Sequence, residues 1–246
     1  MEIVESLADL PIDVAEAMYS PDFVELATLS AGGTPVVLPM SFTLDIGANA
    51  VRFSSPVNAG RIANLIRDPR CCVSFTRVTA GYPPVVLEGV ATLGDVAEGV
   101  RRGPARRFTV TPQRLRVFDE SLPLWEFPSI TITSPTREAN ARTRRSSGLP
   151  PTRDDLDAIT RFETTVIGLR EGGGWPLTVP AEIVRDGDAL VIELPAAIAE
   201  LVAEGPATVL GHTWTKDGPR YLALTCRASR DRSAIRCLPI RALRRP

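Results

Sequence analysis

One arginine stands at the start of a short amphipathic segment, 59-AGRIANLIRDPR-70. The three- and four-residue spacing of the apolar side chains predicts a helix with one buried face, which Asp68 and Pro69 end. Arg61 then lies in the first turn, where backbone N–H groups point at a bound anion and the guanidinium adds a fixed charge with forked donors. The pattern predicts either a phosphate-binding arginine or an exposed helix residue that holds no ligand.

Other residues that carry chemistry are scarce. Lys216 is the only lysine and no GxxxxGK surrounds it, which argues against Schiff-base and P-loop chemistry. His212 is the only histidine, so a site with several histidine ligands is excluded and no metal is expected. The catalytic residues of an enzyme stay unknown, and a bound cofactor would carry its chemistry. Four cysteines without a CxxC motif are interpreted as small core residues of a reducing compartment: Cys71, Cys72, Cys226 and Cys237.

Composition places the chain among folded proteins with a packed core, because 44% of its 246 residues are hydrophobic and the net charge is -1. No apolar run approaches the roughly 20 residues that span a bilayer, and the N-terminal segment is acidic where a signal peptide would be basic. We therefore expect a cytoplasmic protein without a membrane partner.

An internal repeat organises the chain. The segments 31-AGGTPVVLPMSFTLD-45 and 172-GGGWPLTVPAEIVRD-186 align without a gap at a separation of 141 residues. Further on, 50-AVRFSSP-56 aligns with 189-ALVIELP-195 at a separation of 139. The alternative is that two β-hairpins share a composition, but the order of elements around the matched residues agrees as well.

Each copy reads as antiparallel strands joined by Gly, Asn and Asp turns and interrupted by one short helix. This pattern predicts a mainly β protein of two tandem split β-barrels, of Greek-key type. The domains are predicted as 1–136 for the first barrel, 137–160 for a linker and 161–246 for the second barrel.

The basic residues of the linker could contact nucleic acid, namely Arg142, Arg144 and Arg145. A solvated basic linker is the preferred interpretation, because the whole chain is slightly acidic and no aromatic residues interleave with these arginines. We expect no nucleic-acid partner.

The order of these motifs resembles the flavin-binding split barrels of the pyridoxamine 5'-phosphate oxidase-like superfamily, including its deazaflavin-dependent branch. The resemblance covers residues 20 to 135, through GGTP, VVLPMSF, VRFSS, the RxxNLxxDPR segment and PPVVLEGVATL, and it covers 163 to 230 more weakly. It implies an FMN cofactor, or alternatively the deazaflavin F420. Seven residues would form the cofactor site. Pro39, Met40 and Ser41 would run along the ring system, and Ser54, Ser55, Asn58 and Arg61 would hold the phosphate.

The sequence also departs from the family. The segment 50–60 offers only Arg52 before Arg61, so the dense basic site of pyridoxamine-phosphate oxidase itself is not expected. The segment 194–211 contains no arginine or lysine, which predicts a degenerate, structural second copy. The two barrels would form an intramolecular pseudo-dimer with one cofactor per chain. The alternative is a homodimer in which two chains pair through their first barrels.

The resemblance implies an oxidoreductase that acts on a small organic substrate through FMN or F420. The alternative is a non-catalytic flavin or haem carrier, or a regulatory protein. His212 is interpreted as a core or rim histidine and not as an axial haem ligand, since the chain offers no second histidine. Tyr82 and Trp125 could either stack on a flavin or fill small cores.

Overall fold

The structure, a computed structural model, describes residues 2–76, 83–98, 103–118, 124–128, 148–194, 196–216, 218–231 and 234–245. The first copy contains a 3-10 turn at Leu7–Asp9, two helices and nine strands within these ranges. In chain order the helices and strands are β1 (Glu2–Ile3), α1 (Ile12–Tyr19), β2 (Phe23–Leu29), β3 (Pro35–Ser41), β4 (Thr43–Asp45), β5 (Ala50–Pro56), α2 (Gly60–Arg67), β6 (Arg70–Phe75), β7 (Val85–Ala97), β8 (Ala105–Val117) and β9 (Leu124–Glu126).

The second copy repeats the order from α1 to β8, and the described residues hold no counterparts of β1 and β9. Its elements are α3 (Arg153–Ile159), β10 (Thr164–Arg170), β11 (Pro176–Pro180), β12 (Ile183–Asp186), β13 (Ala189–Glu193), α4 (Ala196–Leu201), β14 (Gly205–Thr215), β15 (Gly218–Asp231) and β16 (Ala234–Arg245). No helix in the described ranges is long and apolar enough to cross a membrane.

The hydrogen-bonded order of strands is the same in both copies. The first sheet runs β3-β2-β6-β7-β8-β5-β4, with β9 and β1 added beyond β8. The second runs β11-β10-β14-β15-β16-β13-β12. Among the described strands β3 pairs only with β2, so the sheet stays open between β3 and β5. The predicted fold of two tandem split barrels is confirmed.

A β-bulge recurs at the equivalent place in each copy. The register of β7 and β8 shifts after Glu88, where Gly89 faces Pro112. The register of β15 and β16 shifts after Thr225, where Cys226 faces Pro239. Proline cannot donate a ladder hydrogen bond, and a bulge is one place in a sheet that tolerates it. The two prolines therefore occupy equivalent bulges.

Each barrel buries its own apolar interior, and the outer face of the first sheet packs on the second barrel. Side chains of the first copy from four neighbouring strands join the second core: Ala27, Val37, Cys72 and Val86. Phe23 also stacks on Trp214 across this contact. The two sheets thus share one buried interface, on which β3 lies against β14.

Part of the predicted linker is helical. Thr152 caps α3 by accepting from the Asp155 N–H, and the Asp155 carboxylate accepts from the Thr152 N–H in return. Leu156 and Ile159 of α3 are buried in the second core. Residues 137–147, with the three linker arginines, lie outside the described residues, and the domain boundaries stay a prediction.

Candidate functional site at the split of the first barrel

The helix α2 carries Arg61 across the open side of the first barrel. Its apolar face is buried through Ile62 and Leu65, and the buried Asn64 Nδ2 donates to Thr28 Oγ1 on β2 at 3.0 Å. The preceding turn closes where the Ala59 N–H donates to the Pro56 carbonyl at 2.9 Å. Arg61 is half-buried, and its guanidinium contacts the Met40 sulfur on β3. The sequence predicted the helix and the place of Arg61 but missed the anchoring role of Asn64.

Ser55, near the end of β5, is the unusual polar residue of this region. Its side chain is 1% exposed, and its hydroxyl has no hydrogen-bond partner among the described residues. Most buried hydroxyls in proteins are paired, because desolvating one without a partner costs about 1 to 3 kcal/mol. A buried hydroxyl in this state calls for an explanation in terms of a ligand or a water.

Five of the seven predicted site residues lie on one or the other side of the split. Met40, Ser55 and Arg61 lie on the inner side, where Met40 belongs to the first core. Ser41 and Ser54 are exposed and line a cleft on the outer side. Since successive side chains of a strand point to opposite faces, adjacent residues fall on different sides of the split.

Two of the seven lie apart from both groups. Pro39 is buried on β3 opposite Glu25 of β2, and Asn58 is exposed in the turn before α2. The structure thus brings Met40 and Arg61 into contact, but it does not gather all seven residues around one point. Their role in cofactor binding stays a prediction.

The outer cleft has a volume of about 390 Å³. Three hydroxyl-bearing residues, two phenylalanines and two arginines line it: Ser41, Phe42, Thr43, Arg52, Phe53, Ser54 and Arg107. Arg52 forms an exposed ion pair with Asp45 at 2.7 Å. The cleft can therefore present cations, hydroxyl donors and an aromatic side chain to one ligand.

His212 lies at the interface of the two barrels and is 4% exposed. Its Nε2 is 2.7 Å from Glu25 Oε1, and Thr76 Oγ1 donates to Glu25 Oε2 at 2.6 Å. The interpretation of His212 as a core histidine is confirmed. That it binds no haem stays a prediction.

Trp125 is 4% exposed, packs in the first core and donates from Nε1 to Glu2 at 3.0 Å, so it fills a small core. Tyr82 lies outside the described residues.

A second buried polar group at this interface combines two carboxylates with two arginines. Glu171, in the turn after β10, accepts from Arg114 at 2.8 Å and from Arg116 at 2.7 Å on β8. Glu88 on β7 contacts the same two arginines and is fully buried. Burial raises the pKa of Glu88 to about 7, although Arg114 and Arg116 oppose the rise. We call these four residues the interface charge cluster.

Sequence reasoning missed the interface charge cluster. Glu88 is a lone acid inside the apolar run 84-PVVLEGVATL-93, and Arg114 and Arg116 share one face of a strand. Both features indicate buried charges that require partners. Neither feature points to Glu171, which belongs to the other barrel.

No family model matches the chain, and no curated protein matches it. Three similar solved structures are a protein related to general stress protein 26 of the pyridoxinephosphate oxidase family from Clostridium acetobutylicum, an F420 reductase, and a pyridoxamine 5'-phosphate oxidase-related FMN-binding protein from Nostoc punctiforme.

The identities to these three structures are 14%, 17% and 10%, and the TM-scores are 0.40, 0.38 and 0.36. The matches cover 47%, 43% and 47% of this chain and 92%, 98% and 95% of the other chains. Each matched protein therefore has about the length of one copy. The likeness to these solved structures concerns the fold of one copy alone.

Proposed function

We propose that the first barrel binds FMN or the deazaflavin F420 and that the protein is an oxidoreductase acting on a small organic substrate. The observation that carries the proposal is the buried Ser55 hydroxyl, which has no partner among the described residues. In the second copy the equivalent position, 139 residues later, holds the buried apolar Leu194. The first copy thus has a buried hydroxyl group at a position where the same fold holds a leucine in the second copy.

Arg61 fits the phosphate of such a cofactor. Its guanidinium contacts the thioether of Met40, which is a weak acceptor compared with a phosphate oxygen. Ser55 would donate its hydroxyl to the same group, and the N-terminal amides of α2 would add further donors. Of the other predicted residues, Ser41 and Ser54 face the outer cleft, and Pro39 and Asn58 lie apart from both groups, so their part in holding this cofactor stays a prediction.

The protein's own contribution would be binding and orientation. A bound flavin or deazaflavin would supply hydride transfer. The described residues of the outer cleft and of the Met40–Ser55–Arg61 group include no carboxylate and no histidine. Arg61 and Ser55 would fix the cofactor in place, and Met40 and Phe42 would limit the access of water to it.

We propose one cofactor per chain, with the second barrel as a structural partner in an intramolecular pseudo-dimer. Support comes from the missing basic residues of 194–211 and from the shared interface of β3 and β14. A non-catalytic cofactor carrier is the second candidate. The site lining favours it as well, because a carrier needs no proton donor.

The test measures dissociation constants of FMN, F420 and riboflavin by fluorescence quenching for the wild type and for Arg61→Ala. We expect Arg61→Ala to weaken FMN or F420 binding about tenfold to a hundredfold, because a hydrogen bond to a charged group is lost. Riboflavin, which lacks the phosphate, should respond little.

Arg67→Ala is the matched control, since Arg67 is exposed in the last turn of the same helix and donates to the Leu29 and Ala63 carbonyls. Equal FMN affinities of the wild type and Arg61→Ala would remove the site assignment. Turnover of reduced FMN or reduced F420 with an electron acceptor would separate the enzyme from the carrier.

A further inference from the structure

We propose that the outer cleft of the first barrel binds a small organic anion, which Arg52 and Arg107 hold. This site lies beyond the proposed cofactor-phosphate site, because Met40, Ser55 and Arg61 face the inner side of the split. The anion carries a carboxylate or a phosphate group.

Strand pairing places the two arginines on one face. Ser54 of β5 is directly opposite Arg107 of β8, and Arg52 lies two residues before Ser54 on the same strand. Because side chains alternate along a strand, Arg52, Ser54 and Arg107 all point away from the first core. Thr43 of β4 faces Arg52 from the other side. The cations and the hydroxyl groups thus surround one cleft.

The charge of the cleft is positive. Arg52 shares its charge with Asp45, and the two side chains are 54% and 36% exposed. Arg107 is exposed and makes no ion pair with the residues that the structure describes. Its guanidinium offers donors in a fixed fork that matches carboxylate and phosphate oxygens. At about 390 Å³ the cleft exceeds the size of a bare inorganic ion, and Phe42 adds an apolar contact for an organic group.

The second barrel supplies an internal comparison. In the second barrel Leu190 of β13 pairs with Cys237 of β16, and in the first barrel Val51 of β5 pairs with Val110 of β8. These matching pairs align the two surfaces residue by residue. Positions of the cleft become apolar or acidic in the second copy. The second copy has Val191, Ala234 and Val184 at the positions of Arg52, Arg107 and Thr43. It has Glu182 and Glu193 at the positions of Ser41 and Ser54.

At these positions the second surface carries neither arginine and has two carboxylates, which repel an anion. It does carry Arg236, opposite Val191 on β16, but this arginine is paired with Asp186. The same fold with the same strands does not require arginines at these two positions. Their presence in the first copy is thus a property of the cleft and not of the barrel.

The experiment is isothermal titration calorimetry at low ionic strength, with pyrophosphate as the phosphate probe and tricarballylate as the carboxylate probe. We expect the wild type to bind at least one probe, and the probe that binds identifies the group recognised. Arg107→Ala should weaken that binding about tenfold, which is the effect of losing one charge-assisted contact at a partly exposed site.

The matched control is Arg236→Ala, because Arg236 forms an ion pair with Asp186 at 2.6 Å on the second barrel. This variant should bind within twofold of the wild type. Arg67→Ala, at the exposed end of α2, should also bind within twofold. Asp45→Asn should raise the affinity about threefold, since it releases Arg52 from its ion pair.

Absence of wild-type binding to both probes at millimolar concentration would overturn the proposal. An equal loss of affinity in Arg107→Ala and Arg236→Ala would overturn it as well, because the effect would then reflect the net charge of the protein and not the cleft.

Discussion

The two barrels share a strand order, a helix position and a proline-containing bulge, yet the described residues at their splits differ in polarity and charge. Ser55, Arg52 and Arg107 of the first copy correspond to Leu194, Val191 and Ala234 of the second. What the copies conserve is the alternation of buried apolar side chains that closes each core. Polar residues at the split are not needed for that closure, so these positions can hold polar residues in one copy and apolar residues in the other.

The strands of the two sheets also differ where the barrels meet. Glu25 and Glu88 of the first sheet are fully buried. By strand pairing their equivalents in the second sheet are Val166 and Thr225. Buried charges tolerate the loss of a partner poorly, since the remaining charge has already lost its hydration. The difference between the copies therefore predicts where substitutions should be most harmful.

The largest effect is expected for Glu171→Ala. This change would leave Arg114 and Arg116 with Glu88 alone, and we expect it to lower the free energy of unfolding by about 3 kcal/mol. Urea unfolding followed by circular dichroism measures the change. The control is Glu182→Ala at an exposed position, which should shift stability by less than about 0.5 kcal/mol. Similar small effects for both variants would show that the interface charge cluster does not hold the barrels together.

The strands and short helices of each half could be predicted from the sequence, but the interface charge cluster could not. The segments AVRFSSP, GRIANLIR and CCVSF lie in β5, α2 and β6, because hydrophobic period and turn residues act over a few positions. Arg114 and Glu171 are 57 residues apart and meet only through the packing of two barrels. No local period encodes that contact.

The candidate site shows the same division. The place of Arg61 in the first turn of α2 follows from local pattern alone. The opposite directions of Ser54 and Ser55 also follow from the two-residue period of a strand, although the family resemblance implies that both hold the phosphate. The contact between Arg61 and Met40 required the full barrel, since it crosses the open side between β5 and β3.

The second prediction concerns pH. The pKa of Glu88 is raised from 4.5 to about 7, so the folded protein binds this proton more tightly than the unfolded chain. The stability that Glu88 contributes is therefore complete below about pH 4.5 and is lost as the pH rises to about 7. We expect the wild type to lose about 2 kcal/mol relative to Glu88→Gln between pH 5 and pH 8. Urea unfolding at both values measures it, and parallel curves for the two proteins would contradict the assignment.

The third prediction tests the close approach of the barrels. A Cβ at Gly168 would collide with the buried Val37 side chain of the first barrel, whereas the equivalent position of the first copy carries Ala27. Gly168→Ala should lower stability by about 1 to 2 kcal/mol through overpacking. The double variant with Val37→Ala should recover part of this loss, which a double-mutant cycle measures. Gly94→Ala is the control, because its Cβ would meet only ordinary contacts, the nearest at 3.6 Å.

The fourth prediction separates binding from folding at Ser55. Ser55→Ala removes a buried hydroxyl that has no described partner, so the cofactor-free protein should gain about 1 kcal/mol of stability. The same change should weaken FMN or F420 binding. Thermal unfolding without ligand and fluorescence quenching with ligand measure the two effects. Ser54→Ala, at an exposed position, should leave the stability unchanged. A loss of stability in Ser55→Ala would mean that the hydroxyl supports the fold and not a ligand.

The smallest effect on stability is expected for two surface ion pairs, one on each barrel, whose acids occupy equivalent positions. Asp45 pairs with Arg52 at 2.7 Å, and Asp186, its counterpart 141 residues later, pairs with Arg236 at 2.6 Å. Exposed pairs of this kind contribute little, so Asp45→Asn and Asp186→Asn should each change the free energy of unfolding by less than about 0.5 kcal/mol. Calorimetric titration with pyrophosphate should nevertheless distinguish them, because only Asp45→Asn releases a cation into a cleft that holds a second arginine. If Asp186→Asn raises the affinity as much, the first barrel has no special place for an anion.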